Sequence, residues 1–144
     1  MSVHHEILDI DTKAKVGTTD ITSRVRAAVT HAKVTDGICV VAVLHTTAGV
    51  FVNENADPNV QRDLISHLGK LVPRDEEFRH EEGNSDAHIK AVLTGNDVTL
   101  PVRDGELVLG TWAGDLLRGL RRTPAAARDR YCHRPLAVVP SPSR

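Results

Sequence analysis

The sequence predicts a single α+β domain, and three patterns indicate this fold class. An apolar run at residues 37–44 is typical of a buried strand, because such runs are rich in β-branched residues and too short for most helices. Residues 22–33 and 58–71 repeat apolar side chains at helical spacing, and residues 98–112 have the pattern of a β-hairpin. At 144 residues the chain can bury one core without disulfides or a structural metal.

The first part of the chain contains a weak strand, a turn and a helix. Residues 3–10 carry the strand pattern, and residues 17–20 predict a turn. Thr22 can cap a helix over about residues 23–33. The apolar run at residues 37–44 follows, and its composition predicts burial on both faces of the strand.

Two more helices follow this strand. Asp57 is a good N-cap and Pro58 suits the first helical position, so a helix is predicted over residues 58–71. After an exit loop at residues 72–77, a short helix is predicted within residues 85–96.

The hairpin and the end of the chain complete the organisation. Residues 98–102 and 106–112 form the hairpin strands around a turn at residues 103–105. Beyond the hairpin, the apolar periodicity weakens while arginine, proline and alanine accumulate. We therefore assign residues 1–122 to the domain and expect residues 123–144 to be an irregular or disordered tail.

Composition and charge disfavour two classes of partner. A formal net charge of -1 argues against electrostatic capture of nucleic acid or an anionic membrane, and four aromatic residues leave little surface for stacking bases. No apolar run approaches membrane-spanning length and no apolar leader is present, so a cytoplasmic protein is expected. Cys39 and Cys132 lack a metal-binding spacing, and Cys39 is expected in the core.

A polar cluster directly follows the buried strand. His45 lies where an imidazole can act as a general base, a metal ligand or a donor to an anion, or can close the core edge through hydrogen bonds. Asp57 is favoured as the N-cap of the second helix, and Glu54 is either a functional or a solvated carboxylate. Strand ends of this kind often carry binding sites, which makes this rim a candidate site.

A second polar cluster, residues 80–88, holds two imidazoles and three acids. It is either a solvated run of charges or a shaped loop, and the Gly83-Asn84 pair favours the loop. Asn84 or Ser85 can cap the third helix, whose first backbone N–H groups would then form an anion site, with His88 one turn along on the same side.

Two charged residues of the third helix affect how well this site would hold an anion. Asp86 occupies the first turn and fits better if a divalent cation bridges it to a phosphate. Lys90 can add positive charge, although an exposed lysine is the expected status. No metalloprotease, P-loop or dinucleotide-binding motif is present in the sequence.

These patterns nominate three sets of residues. The candidate catalytic residues are His45, Glu54, Asp57, His80, Glu82 and His88. The candidate substrate-binding residues are Thr46, Thr47, Asn53, Asn84, Ser85 and Lys90. The candidate metal ligands are His45, His80 and His88.

Four motifs in this order resemble those of the YjbQ family, whose members are described as secondary thiamine-phosphate synthases. They read HTTAGV at residues 45–50, NENADP at residues 53–58, H-x-EGNSDAHIKA at residues 80–91 and LGTW at residues 109–112. The resemblance covers about residues 5–112, and its last motif adds Thr111 and Trp112 to the candidate substrate-binding residues. It implies a compact α+β domain, mainly an antiparallel sheet layered with two or three helices, that forms a homotrimer with a polar pocket built from these motifs.

The resemblance also implies a reaction between a pyrimidine diphosphate and a thiazole phosphate, with a divalent metal such as Mg or Zn as a possible cofactor. Two other readings stay open. A metal-dependent phosphohydrolase would use the three histidines as ligands, whereas a non-catalytic module would only hold an anion or small ligand at the polar rim. In each case the partner is a phosphorylated or anionic small molecule, and neither nucleic acid nor a membrane is expected.

The chain departs from the family pattern after residue 112. Family members continue with Gln-Gly-Ile-aromatic and a last valine-rich strand, whereas this chain reads AGDLL at residues 113–117. One base inserted before codons for Gln-Gly-Ile-Tyr-Phe yields this reading, so we predict a shifted frame over residues 113–144. Sequencing the gene across codon 113 tests this frameshift hypothesis. DNA that yields no family-like tail in any reading frame rules the frameshift out.

Overall fold

The computed structural model of the chain describes residues 3–10, 16–111, 117–121 and 136–140. This part of the chain contains three helices and eight strands. In chain order they are β1 (His4–Glu6), β2 (Thr18–Asp20), α1 (Thr22–Ala32), β3 (Gly37–Ala42), β4 (Ala48–Val52), α2 (Pro58–Leu71), α3 (Ser85–Thr94), β5 (Asp97–Arg103), β6 (Glu106–Leu107), β7 (Leu117–Arg121) and β8 (Leu136–Pro140).

The strands form two antiparallel sheets. One sheet has the order β1-β8-β3-β5-β6, and the other has the order β2-β7-β4. Every neighbouring pair in both sheets is antiparallel. The predicted α+β class with a mainly antiparallel sheet is confirmed.

The hydrophobic core lies between α1 and the five-stranded sheet. Helix α1 buries Val25, Ala28 and Val29 almost completely, at the helical spacing that the sequence shows. The buried residues that share this cluster on the sheet side are Cys39, Val41, Leu100, Val102 and Leu107. Cys39 is fully buried, which confirms its predicted place in the core.

The start of α1 differs from the prediction. The helix begins at Thr22 itself, and Ile21 holds the N-cap position without a side-chain cap bond. The carboxylate of Asp20 accepts the backbone N–H of Thr22 at 2.9 Å, so the aspartate takes the role expected of the threonine hydroxyl. Asp20 itself ends β2, which lies where the sequence predicted only a turn.

The region after β3 also differs from the prediction. Only alternate residues of β3 are buried, Cys39 and Val41, whereas Ile38 is exposed, so the strand is not buried on both faces. The chain then enters β4, a strand of the other sheet that the sequence analysis missed, before it reaches α2. The first polar cluster is therefore split between the β3–β4 loop and the β4–α2 loop.

The predicted hairpin is present but shorter than expected. Strands β5 and β6 pair around Asp104 and Gly105, which have φ of 52° and 79°. Two positive φ values are what a tight two-residue hairpin turn requires, and Asp-Gly adopts them readily. Strand β6 ends at Leu107 instead of continuing to residue 112.

The segment predicted to be an irregular tail contains a strand. Residues 136–140 form β8, which pairs with β1 and with β3 inside the larger sheet. Residues 123–135 and 141–144 lie outside the described residues. Among the residues that are described, no helix has the length and apolar character needed to cross a membrane.

Candidate functional site

Three of the candidate residues, from motifs far apart in the chain, line one cavity. His45 and Thr46 of the β3–β4 loop face His88 of α3 across a cavity of about 580 Å³, which we call the histidine cavity. Asn96, just beyond α3, also lines it, together with apolar residues of the loop and of α3. Cavities of roughly 300–1,000 Å³ are typical of small-molecule sites.

Backbone hydrogen bonds hold the two sides of the histidine cavity together. The N–H of Val43 donates to the carbonyl of Asn96 at 2.7 Å, and the N–H of Val50 donates to the carbonyl of Gly95 at 3.0 Å. The end of α3 is therefore joined to the chain on both sides of the loop that carries His45. These bonds hold the loop that carries His45 against the end of the helix that carries His88.

A close contact with the end of α3 explains why residue 49 of the HTTAGV motif is a glycine. A Cβ atom at this position would lie 2.7 Å from the carbonyl oxygen of Gly95 and 2.9 Å from the Cβ of Thr94. Both distances are shorter than real Cβ contacts, so only glycine lets β4 approach the end of α3 this closely. The sequence showed the glycine but not the neighbour that requires it.

The hydrogen bonds of His45 determine its tautomer. The backbone N–H of Thr47 donates to Nδ1 of His45 at 3.1 Å, and the hydroxyl of the buried Thr47 lies 2.9 Å from the same nitrogen. Because Nδ1 is an acceptor, the proton of the neutral ring resides on Nε2. Thr47 therefore orients the histidine, and its contact with substrate stays a prediction.

His80 and His88 form an aromatic pair. Their ring centroids are 5.3 Å apart and the rings are nearly perpendicular, at 79°. This edge-to-face arrangement is a favourable geometry for aromatic rings. His80 is exposed and its Nε2 lies 3.9 Å from the carboxylate of Glu82, so the second polar cluster reaches the histidine cavity through His88.

Helix α3 begins without the predicted side-chain cap. Asn84 holds the N-cap position, and its carbonyl accepts the N–H groups of Ala87 and His88. Its amide nitrogen donates to the exposed Glu82 at 3.3 Å, while its Oδ1 is buried and has no hydrogen-bond partner among the described residues. Ser85 is half-buried in the first turn. An unpaired buried acceptor costs about 1–3 kcal/mol.

Lys90 is not the exposed lysine that the sequence predicts. Its Nζ donates to Oδ2 of Asp86 at 3.0 Å, and the two side chains are only 13% and 4% exposed. The i, i+4 spacing places them on the same face of α3. Asp86, predicted as a possible bridge to a metal ion, therefore neutralises a lysine within its own helix.

The carboxylates of the first cluster lie away from the histidine cavity. Asp57 accepts the N–H of Asn59 at 2.8 Å, which confirms it as the N-cap of α2. Glu54 is half-buried, and its N–H donates to the side chain of Asn53 at 2.8 Å. Asn53 lines a second cavity of about 510 Å³ along α2, outside the histidine cavity.

The sequence analysis missed a hydrogen-bond network that holds the β4–α2 loop. Asn55 donates to Asp20 at 3.0 Å and accepts from Gln61 at 3.0 Å, which links β2, the loop and α2. No local signal distinguishes Asn55 from its neighbours in the motif, because its partners are distant in sequence. Thr111 is exposed in a bend, and Trp112 lies outside the described residues.

The predicted metal ligands do not form a metal site within this part of the chain. Among the described residues, no group of three His, Cys, Asp or Glu side chains is arranged to hold a metal ion. The hydrogen bond from Thr47 explains why His45 is not arranged as a metal ligand. A histidine that binds a metal through one ring nitrogen donates a hydrogen bond from the N–H of the other. The Nδ1 of His45 instead accepts a hydrogen bond, and its Nε2 carries the proton.

Comparison with known proteins identifies the relatives of this chain. The family model described as "UPF0047 protein YjbQ-like" matches residues 6–131, so the match continues past residue 112, where we expected the resemblance to end. UPF0047 protein MJ1081 of Methanocaldococcus jannaschii is 49% identical over 105 residues, 73% of this chain and 76% of that protein. UPF0047 protein sll1880 of Synechocystis is 42% identical over 125 residues, 84% of each chain.

A solved structure shares the fold. The crystal structure of an uncharacterized YjbQ/UPF0047 family protein from Clostridium acetobutylicum superposes with a TM-score of 0.77 at 33% identity, and the match covers 96% of this chain and 100% of that one. None of these descriptions names a substrate.

Proposed function

Because the chain belongs to the YjbQ-like UPF0047 family, we propose that the histidine cavity is the active site of a transferase that acts on phosphorylated small molecules. The observation that carries the proposal is the meeting of His45 and His88 in one cavity of ligand size. The reaction we propose is the thiamine-phosphate synthase type that the family resemblance implies.

This reaction needs no nucleophile from the protein. The C–O bond between the pyrimidine methylene and the diphosphate breaks, and pyrophosphate leaves with the electron pair. The thiazole nitrogen then donates its lone pair to the methylene carbon and forms the new C–N bond. The protein has to hold both substrates in line, stabilise the departing oxygens and exclude water.

The residues of the histidine cavity suit these tasks. Imidazole N–H groups can donate to oxygen or nitrogen acceptors, and apolar side chains supply part of the cavity wall. The start of α3, near Asn84 and Ser85, is the place we propose for the phosphate groups, because helix N-termini attract anions. The ring of His80 packs edge-to-face against that of His88.

A divalent ion is not part of the proposed steps. Asp57 caps α2, Asp86 pairs with Lys90, and the three predicted histidine ligands are not arranged to hold a metal ion among the residues described. The donor groups of the described residues therefore do not fit a metal centre, and we route no step through one.

We also propose that the chain forms the homotrimer implied by the family resemblance. Helix α3 exposes an apolar stripe of Ile89, Val92 and Leu93, with Val92 82% exposed. Contiguous apolar surface of this kind often marks a contact between proteins. Light scattering on the purified chain measures the oligomer, and a monomer at micromolar concentration would contradict the proposal.

The activity test uses the full chain with both substrates. The purified protein is incubated with the pyrimidine diphosphate and the thiazole phosphate, and thiamine phosphate and pyrophosphate are quantified. We expect turnover by the wild type and a loss of about 100-fold or more in His45→Ala and His88→Ala, since positioned acid–base groups contribute about 10²–10⁴-fold. His31→Ala is the matched control, because His31 is an exposed histidine on α1.

Three outcomes contradict the transferase. Equal turnover by all variants places the chemistry elsewhere. Hydrolysis of phosphate esters without thiamine phosphate indicates a phosphohydrolase. Thermal stabilisation by the substrates without any turnover indicates a binding module.

A further inference from the structure

We propose that the histidine cavity takes the uncharged pyrimidine ring of the substrate, and that the phosphate groups bind outside it. The identity of this ring rests on the proposed function. The preference for an uncharged ring over an anion rests on the cavity itself, through its charges, the orientation of α3 and its walls.

The cavity offers an anion no fixed positive charge. None of the described residues that line it is lysine, arginine, aspartate or glutamate. The nearest lysine along α3 is Lys90, whose ammonium group is bound to the buried Asp86 at 3.0 Å. Phosphate sites in proteins usually present arginine, lysine or a helix N-terminus to the anion.

The orientation of α3 also disfavours an anion in this cavity. Its lining residues on this helix are His88, Ala91 and Val92, followed by Gly95 and Asn96 beyond the end. The first turn of α3 does not line the cavity. The C-terminal end of a helix carries partial negative charge, so the part of α3 that faces the cavity favours neutral or cationic groups.

The hydrogen bond of His45 works in the same direction. A doubly protonated imidazole would carry a hydrogen on Nδ1, where the backbone N–H of Thr47 already donates. The charged form would lose this bond and bring two hydrogens together. The fold therefore favours neutral His45, a hydrogen-bonding group without a charge.

The walls suit a flat ring with polar edges. Val43, Leu44, Ala48, Ala91 and Val92 supply apolar surface on both sides of the cavity. Polar groups are few and come from Thr46, Asn96 and the two histidines. An aminopyrimidine has two ring nitrogens and an amine that can bond to such groups, whereas a thiazole has a single ring nitrogen.

The test measures binding of the separate parts of the substrate. Calorimetry is run with 4-amino-5-hydroxymethyl-2-methylpyrimidine, with the thiazole alcohol and with inorganic pyrophosphate. Thr46→Trp and Asn96→Trp place an indole at the rim of the cavity, at two exposed positions that tolerate a large side chain. Thr30→Trp, at an exposed position on α1, is the matched control.

We expect both rim variants to weaken the binding of the pyrimidine alcohol about tenfold or more, because the indole fills space that the ring needs. Thr30→Trp should leave it unchanged, and pyrophosphate affinity should stay within about twofold in every variant. A second pair, Thr46→Glu and Thr46→Gln, has the same size and differs in charge. Equal pyrophosphate affinity in this pair is expected, since the proposed phosphate position is the start of α3 and not the rim of the cavity.

Four results overturn the inference. The first is a wild type that does not bind the pyrimidine alcohol at millimolar concentration, and the second is binding that both rim tryptophans leave intact. The third is stronger binding of the thiazole alcohol that the rim tryptophans block. The fourth is pyrophosphate affinity that falls in Thr46→Glu relative to Thr46→Gln. Circular dichroism and light scattering verify that each variant is folded and assembled. A chain that binds the ring in the cavity but makes no thiamine phosphate refutes the proposed function and leaves this inference standing.

Discussion

Helices α2 and α3 follow similar polar motifs, yet the structure uses them differently. Helix α2 begins with a satisfied cap at Asp57 and fully buries only Leu68 among its residues. Helix α3 begins without a side-chain cap, buries an ion pair and ends in backbone bonds to the chain around His45. The difference teaches that the helix with the regular start has a structural role here, whereas the helix with the irregular start carries His88 of the histidine cavity.

The first prediction concerns the buried ion pair of α3. Lys90→Met leaves the carboxylate of Asp86 buried without its lysine, so the free energy of unfolding should fall by about 3–5 kcal/mol. Arg62→Met on α2 is the matched control, because Arg62 bonds to Asn59 at the surface and should matter by about 0.5 kcal/mol or less. Urea denaturation measures both. Equal losses would show that α3 is no more dependent on its charges than α2.

The second prediction compares a glycine at each helix. Gly49→Ala forces a Cβ against Gly95 and should lower the free energy of unfolding by about 1–3 kcal/mol. Gly69→Ala, inside α2, meets nothing within 4 Å and should raise it by about 0.5–1 kcal/mol, since alanine favours helix. The two substitutions add the same methyl group with opposite sign. A neutral Gly49→Ala would refute the close contact between β4 and α3.

A pH titration separates the core from both helices. Burial raises the pKa of the Cys39 thiol from 9.0 to about 11. Above pH 9 the unfolded chain binds fewer protons at this thiol than the folded one, so stability is complete below pH 9 and falls up to pH 11, by about 1.4 kcal/mol per unit. The difference between wild type and Cys39→Ala in urea midpoints isolates this contribution. Urea midpoints of wild type and Cys39→Ala that change in parallel with pH would contradict a contribution from the Cys39 thiol.

The smallest effects come from the two cap positions. Asp57→Ala should lower the free energy of unfolding by about 1 kcal/mol, because the bond to Asn59 is lost. Asn84→Ala should cause no loss and should raise it by about 1 kcal/mol, since Asn84 makes no side-chain cap bond and the substitution removes its unpaired buried Oδ1. Thermal unfolding of the two variants side by side is sufficient. A larger loss for Asn84 would reverse the comparison between the helices.

Local signals predicted the elements that depend on local chemistry. The bounds of α2 follow from Asp57-Pro58 and a regular apolar repeat, and the hairpin turn follows from Asp104-Gly105. The α+β class was predicted correctly because each of these elements was correctly assigned as a helix or a strand.

The missed features depend on contacts between distant residues. Strand β4 is short and lies between two polar loops, so its pairing with β7 leaves no periodic signal in the sequence. The burial of Lys90 depends on what covers α3, which helical spacing does not reveal. The family resemblance implied one polar pocket built from these motifs; His45 and His88 line one cavity, whereas the carboxylates of the motifs do not line it.

The two backbone bonds at the end of α3 also affect the entropy of binding. Val43 and Val50 are held by the adjacent residues Asn96 and Gly95, so the six residues between them form a loop closed at its base. Fixing a free backbone costs about 1–2 kcal/mol per residue, and here folding has already met that cost. A ligand that meets His45 therefore binds to a pre-organised loop, and little of its affinity is lost in ordering the protein.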